Sequence, residues 1–331
     1  MGEITNIKVP RVREIMYKSN ILERYQRRSI KYTYDIMQIY LTRSSVRGIK
    51  KIVKRLFNNN ISETTISNIL KKAKEKLDKW REEKIEKEYE GLIVDGLYFN
   101  VKTIAKVLNK QKINKIRGKN SNTKGVILIV MGITKELEKE VIGFKVTYSE
   151  SHDNWLSLLT NLIERGLKVK KEGIIVHDGA KGLISALEYA FPYNKKQLCL
   201  FHFIKDIGKY ARNKMEEKEI KKELSEIHKS KNYKEAIRKY KELIKKWEKI
   251  NPRIARYLSE GYEATLTYYE VEEEKRKYFS TTNYLEREFK EINRKIYDIG
   301  IFPNVYSTER IIFLLLIEHN LIKNTGVPLY A

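Results

Sequence analysis

Cysteine is all but missing: Cys199 is the only one in 331 residues. One thiol excludes an internal disulfide, and with no second cysteine a zinc ribbon cannot begin. Long apolar runs are missing too. The N-terminal stretch Met1-Gly-Glu-Ile-Thr-Asn-Ile-Lys8 has no apolar signal core, and the run from Ile311 to Ile317 is too short to span a bilayer. These absences predict a cytoplasmic protein with no membrane partner. Acids are also scarce, with 43 Asp and Glu against 67 Lys and Arg, a formal net charge of +24. A field of that sign favours a polyanion, and its length allows two domains or a core with an accessory module.

Against that basic background a few acids stand at telling places. Ile174-Ile175-Val176 reads as a strand buried on both faces, and it stops at Asp178-Gly179. Leu183, Ile184, Leu187 and Ala190 then recur at helical spacing until Phe191-Pro192 breaks the pattern. Upstream, Gly91-Leu-Ile-Val-Asp95-Gly96 repeats the grammar, and downstream Glu286 lies within a helical pattern opened by Thr281-Thr282-Asn283. Two strand-borne aspartates and one helix-borne glutamate are the donor set of a two-metal phosphoryl-transfer site, with Mg²⁺ expected and Mn²⁺ able to substitute. Taken alone, Asp95 also fits an ordinary turn before glycine. Glu286 alone fits a surface pair with Lys290, and Glu288 is its neighbouring alternative.

The rest of the chain reads in order. Residues 1–30 form a basic arm that includes Arg27 and Arg28. Val46, Ile49, Ile52, Val53, Leu56 and Phe57 make the apolar stripe of one helix, ended by Asn58-Asn59-Asn60. Ser62 then caps a second, with Ile66, Ile69, Leu70, Ala73, Leu77 and Trp80 as its stripe. Two short amphipathic helices about a polar turn resemble a helix-turn-helix, whose recognition face would carry Glu63, Thr64, Thr65, Ser67, Asn68 and Lys71; a plain helical hairpin is the alternative. Lys79 to Glu90 reads as a charged helical connector.

Lys102 to Lys124 holds eight Lys or Arg and no carboxylate. Its end, with Arg117, Lys119 and Lys124, is suited to holding phosphates, or is simply a solvated loop. Val126–Ile133 and Val141–Val146 read as an antiparallel hairpin. A helix follows from His152, with Leu158, Leu159, Leu162 and Ile163 on one face and Trp155 as a core residue. Lys209 to Lys277 shows only helical spacing, with a break at Asn251-Pro252. Glu286, Lys290, Asn293 and Arg294 share a helical face, and Val305–Leu321 is a final apolar helix expected to cover the sheet.

Asp178-Gly-Ala-Lys-Gly-Leu183, then Phe191-Pro192, Cys199-Leu-Phe-His202, Thr281-Thr-Asn-Tyr-Leu-Glu-Arg287 and Gly300-Ile-Phe-Pro-Asn304 occur in an order that resembles the Mutator-type insertion-sequence transposases, from about Ile21 to Glu318. Phe289 departs from the pattern, where many members carry asparagine. The resemblance implies an α/β fold: a ribonuclease-H-like core, its mixed sheet flanked by helices, with an N-terminal helix-turn-helix region and an all-α insertion. The corresponding divisions are 1–85 for the arm and DNA-binding region, 86–208 for the first part of the core, 209–277 for the insertion and 278–331 for the C-terminal helices of the core.

It also implies a catalytic and metal-binding triad of Asp95, Asp178 and Glu286, with His202 near the reacting phosphate; a buried structural role for Cys199 and His202 is the alternative, since no further ligands complete a zinc site. Double-stranded DNA is the implied partner, as terminal inverted repeats and as target, bound by a homodimer or higher multimer in the nucleoid. The DNA-contact candidates are Arg27, Arg28, Thr64, Thr65, Asn68, Lys71, Arg117, Lys119, Lys124, Lys290 and Arg294. Members are usually longer at the N-terminus, which motivates the alternative of a domesticated, non-catalytic DNA-binding protein. A structure-specific nuclease on the same core is a third reading.

Overall fold

The computed structural model describes residues 35, 36, 39, 46–57, 60–102, 122–282, 290, 294 and 305–322. These fall into two compact units, one up to Ile69 and one from Leu70 onward.

In the first unit, α1 (Val46–Phe57) buries Ile49 and Val53 along its apolar stripe. Ser62 opens α2 (Glu63–Glu82), its Oγ accepting the Thr65 N–H at 3.1 Å as an N-cap should. Ile61, Ile66 and Ile69 are buried, while Thr64, Asn68 and Lys71 are exposed and Thr65 is half-buried. At 20 residues α2 is longer than the short second helix expected. Its continuation buries Trp80, which stacks on Phe144 and tilts against Phe313, each at 5.8 Å.

The expected helical connector up to Glu90 is corrected: α2 ends at Glu82, and the chain is already a strand at Glu88. Arg165 supplies the reason. Its guanidinium takes the carbonyls of Trp80 at 3.0 Å and Glu83 at 2.8 Å, and its own carbonyl accepts the Ile85 N–H at 2.7 Å. Donors from outside the helix thus replace continued helical bonding.

The second unit is built on a sheet of β1 (Glu88–Lys102), β2 (Asn122–Ile133), β3 (Lys139–Thr147), β4 (Lys168–His177) and β5 (Lys195–Leu198), in the order β3-β2-β1-β4-β5. β2 runs antiparallel to both β1 and β3, whereas β4 and β5 run parallel to β1. The hairpin read from Val126 and Val141 is therefore present. Long apolar β-branched runs suit strands covered on both faces, and Ile93, Val94, Ile127, Leu128, Ile175 and Val176 are all fully buried.

On one face, α3 (His152–Glu164) and α4 (Lys181–Ala190) pack as neighbours, contributing Trp155, Leu159, Leu162, Leu183 and Leu187 to a core with Leu92, Val94, Val130 and Ile175. Ile163, placed on that apolar face from spacing, is 40% exposed instead. Its predecessor Leu162 fills the space over Gly143. On the other side, α9 (Glu273–Phe279) sets Phe279 against Gly91, and α10 (Val305–Glu318) packs on β3.

From α5 (Leu200–Ile207) through α6 (Lys214–Ile227), α7 (Tyr233–Ile250) and α8 (Pro252–Gly261) to α9, the described residues contain helices and turns and no strand. Asn213, Asn232 and Asn251 cap α6, α7 and α8 with their side chains, and Pro252 follows at the first helical position, where its missing N–H costs nothing. Lys246 bridges Glu219 at 2.7 Å and Glu223 at 2.5 Å, so much of the Lys/Glu alternation is self-paired. Gln197 stitches this helical region to β5: its amide donates to the Thr265 carbonyl at 2.9 Å and its Oε1 accepts the Tyr268 N–H at 2.8 Å.

Candidate active site

Asp95 and Asp178 are brought together by strand register. Val94 on β1 is opposite His177 on β4, and the next residue of each strand is an aspartate. β4 stops there while β1 continues, so both carboxylates stand at the carboxyl end of the central parallel pair, where open α/β sheets place chemistry. Asp95 is 7% exposed, and its Oδ1 accepts the Gly96 N–H at 2.8 Å.

Asp178 begins the turn into α4. Its Oδ1 accepts the Ala180 N–H at 2.9 Å, and Gly179 takes φ +95°, a conformation that a Cβ would strain. Burial pushes the Asp178 carboxyl above its ordinary range, the nearby charge of Asp206 on α5 adds to this, and the Ala180 hydrogen bond opposes it. A pair of oxygen donors held in a charge-disfavouring place suits a hard divalent cation.

Three further groups surround the pair. Tyr98, on the exposed end of β1, donates its hydroxyl to Glu150 Oε2 at 2.6 Å; burial and then Glu150 raise its pKa, and the charges of Asp178 and Asp95 add to the rise. Glu150 Oε1 accepts the indole N–H of Trp155 at 3.2 Å. The Glu150 carboxyl is itself raised, first by burial and further by Asp178, with the Tyr98 bond and the attraction of His202 opposing. Spacing did not single out Glu150 or Asp206. The available signal was the acid just ahead of the helix that begins at His152, and the four-residue step from His202 to Asp206.

The Cys-x-x-His pair lies against Thr282. Cys199 Sγ accepts the Thr282 N–H at 3.2 Å and lies 3.3 Å from Thr282 Oγ1, which is 3.4 Å from His202 Nδ1. Cys199 and Thr282 are fully buried. Both residues of the pair thus contact Thr282, the last described residue ahead of Glu286. His177 is buried and accepts the Gly179 N–H at Nδ1, and its pKa is held down to about 4 by burial and by Lys196.

Glu286 lies outside the described residues, as do Arg27, Arg28, Arg117 and Lys119. Among the described residues no group of three or more His, Cys, Asp or Glu gathers closely enough to hold a metal. Lys124, Lys290 and Arg294 are exposed, the first on β2 and the other two in helical conformation. Among the described residues no helix is long and apolar enough to cross a membrane.

With this geometry in place, comparison with known proteins identifies the class. Residues 1–324 match the family described as "Transposase, Mutator family". The chain belongs to that family. It is 28% identical over 315 residues, 94% of its length and 76% of the relative's, to the transposase for insertion sequence element IS256 in transposon Tn4001 of Staphylococcus aureus. It is 27% identical over 312 residues to the transposase for insertion sequence element ISRM5 of Rhizobium meliloti, covering 94% of this chain and 74% of that one. A solved structure, the Drosophila P element transposase strand transfer complex, aligns with a TM-score of 0.45 at 11% identity over 86% of this chain and 91% of that one.

Proposed function

We propose that this chain is the transposase of an insertion sequence, binding the element's terminal inverted repeats and cutting and joining DNA strands through Asp95, Asp178 and Glu286. The observation that carries the reading is the register that sets Asp95 beside Asp178 where the parallel β1–β4 ladder ends, in a chain of the Mutator family. The strand order, three antiparallel strands followed by two parallel ones, supports a ribonuclease-H-like core over 86–208 and 278–331. The helical stretch over 209–277 reads as an insertion in it.

Asp95 and Asp178 are the residues that would hold a divalent cation, Mg²⁺ or Mn²⁺, with Glu286 as the third ligand. Bound there, such ions supply Lewis acidity to a water or 3′-hydroxyl nucleophile and to the leaving 3′-oxygen. The chain's own residues do the rest. The two backbone-anchored aspartates fix where the scissile phosphate lies, Thr282 is held on Cys199 ahead of Glu286, and His202, 3.4 Å from Thr282 Oγ1, acts near the reacting phosphate. No covalent protein intermediate is required.

The positive excess of the chain supplies affinity for the phosphate backbone. The exposed face of α2 at Thr64, Thr65, Asn68 and Lys71 is the base-reading candidate of a helix-turn-helix. Arg27, Arg28, Arg117, Lys119, Lys124, Lys290 and Arg294 are phosphate contacts in this reading. A homodimer or higher multimer pairs the two ends.

The test is a gel assay on DNA carrying the element ends, run with Mg²⁺ and with Ca²⁺. Asp95→Ala and Asp178→Ala are expected to abolish Mg²⁺-dependent cleavage while leaving the DNA shift in Ca²⁺ unchanged. Normal cleavage by either variant removes the mechanism.

A further inference from the structure

The ladder that aligns the two aspartates ends one residue too early to fix them. Its last pair is Val94 with His177, so the spacing between the Asp95 and Asp178 carboxylates needs a second device.

Glu150 is placed to be that device. It lies in the link between β3, which ends at Thr147, and α3, which begins at His152. Its carboxylate nevertheless has fixed partners on two sides. Oε1 accepts the indole N–H of Trp155 at 3.2 Å, and Trp155 is wholly buried in the core. Oε2 accepts the hydroxyl of Tyr98 at 2.6 Å, three residues beyond Asp95 on β1.

Two glycines admit the link. A Cβ on Gly96, the residue after Asp95, would come within 2.8 Å of Glu150 Oε1. A Cβ on Gly182, four residues after Asp178, would come within 2.9 Å of His152 N and 3.1 Å of the Glu150 carbonyl. Ser151 caps α3, and Asn154 Nδ2 donates to both the carbonyl and the hydroxyl of Ser149 at 3.1 Å, so the main chain of the link is held as well. The segment is thus wedged between the strand that carries Asp95 and the helix that follows Asp178, and the Glu150 side chain ties the first to the core.

We propose that Glu150, acting through Tyr98 and Trp155, is a positioning residue that sets the distance between Asp95 and Asp178. This rests on the reading of those two acids as the reacting centre. Groups that orient metal ligands without touching the metal typically matter about 10- to 100-fold in metal affinity or activity. A residue serving only to hold the fold would change the melting temperature without changing metal affinity in the protein that remains folded.

The experiment compares the full-length wild type with Tyr98→Phe, Glu150→Gln, the double variant and Asp95→Ala. Tyr98 is 56% exposed, so its hydroxyl can be removed with little risk to folding. Calorimetric titration of Mn²⁺ into each protein, thermal melting in EDTA, and the Mg²⁺ concentration giving half-maximal end cleavage are measured side by side. Both single variants should bind Mn²⁺ at least about tenfold more weakly and need correspondingly more Mg²⁺, with melting close to wild type. The double variant should be no worse than the weaker single one, because the two residues act as one unit. Wild-type Mn²⁺ affinity and Mg²⁺ requirement in both single variants, alongside an inactive Asp95→Ala, overturn the strut and leave the acid pair standing. Normal cleavage by Asp95→Ala overturns both.

Discussion

Thr282 donates its backbone N–H to the sulfur of Cys199 at 3.2 Å and holds its hydroxyl 3.3 Å from the same atom, at a site with no exposure to solvent. Cysteine near a histidine invites a metal or redox reading, but burial raises this thiol's pKa, with the Thr282 bonds opposing, which disfavours the reactive thiolate. The sulfur is used as an acceptor. Cys199→Ala leaves the buried Thr282 N–H without its partner and should cost about 1–3 kcal/mol. Cys199→Ser should recover part of that. Because Thr282 is four residues ahead of Glu286, cleavage should fall further than DNA binding in the alanine variant, measured by melting and by the end-cleavage assay.

A second expectation concerns the cost of keeping Asp178 charged. Burial and Asp206 hold its carboxyl above the ordinary 3.8, so the folded state binds this proton more tightly than the unfolded one. Its stabilising contribution is complete below the unfolded value and is lost as pH rises through the folded one, leaving a net cost at neutral pH. Asp178→Asn keeps an acceptor for the Ala180 N–H and removes the charge. In EDTA at pH 7 the variant should melt at or above the wild type, and added Mg²⁺ should raise the melting temperature of the wild type only. A lower melting temperature for the variant in EDTA would show that the site is not charge-strained.

The sequence carried the sheet more fully than the site. Apolar β-branched runs ending on Asp95 and Asp178 are legible because a strand covered on both faces has to be continuously apolar, and the β2–β3 hairpin is legible because Thr134-Lys-Glu-Leu-Glu-Lys139 interrupts two such runs. Glu150 was not legible. It lies in a link with no period, and its partners Tyr98 and Trp155 are 52 and 5 residues away, a separation that only the closed sheet turns into contact. The early end of α2 escaped for the same reason: charged residues continue helical spacing past Glu82, while the Arg165 side chain that takes the helix's carbonyls comes from 82 residues further on. The Cys199–His202 pair was visible, but its partner Thr282 was not.

The helical region should show its own pH response. His228 Nε2 lies 2.8 Å from the Tyr240 hydroxyl, which lies 3.2 Å from Thr265 Oγ1, whose own hydroxyl donates to the Tyr262 carbonyl at 2.6 Å. A consistent chain of donors has Nε2–H donating to Tyr240 and Nδ1 unprotonated, and burial holds the ring down to about 4 from 6.5. The neutral ring is favoured by folding, so the stability it contributes is present above the unfolded value and is lost as pH falls. Between pH 6.5 and about 4 unfolding free energy should drop by up to about 1.4 kcal/mol per pH unit from this residue. Urea melts of wild type and His228→Gln across that window check it: the variant should show a shallower slope, and an unchanged slope would contradict the assignment.

Gly96→Ala offers a smaller, local test. The new Cβ would meet the Glu150 carboxylate, the far end of a side chain able to move, so the loss of stability should stay near about 1–2 kcal/mol. Cleavage should suffer more than stability, because the displaced carboxylate releases Tyr98. Thermal melting and end cleavage on the same preparation separate the two.

The pairing of Asp95 and Asp178 around one divalent cation is tested most directly by changing the hardness of a ligand. Thiolate accepts Mn²⁺ far better than Mg²⁺. Cleavage of element-end DNA by Asp178→Cys should therefore vanish in Mg²⁺ and return in Mn²⁺, with wild type active in both. Full Mg²⁺-dependent cleavage by Asp178→Cys would contradict direct metal ligation at this position.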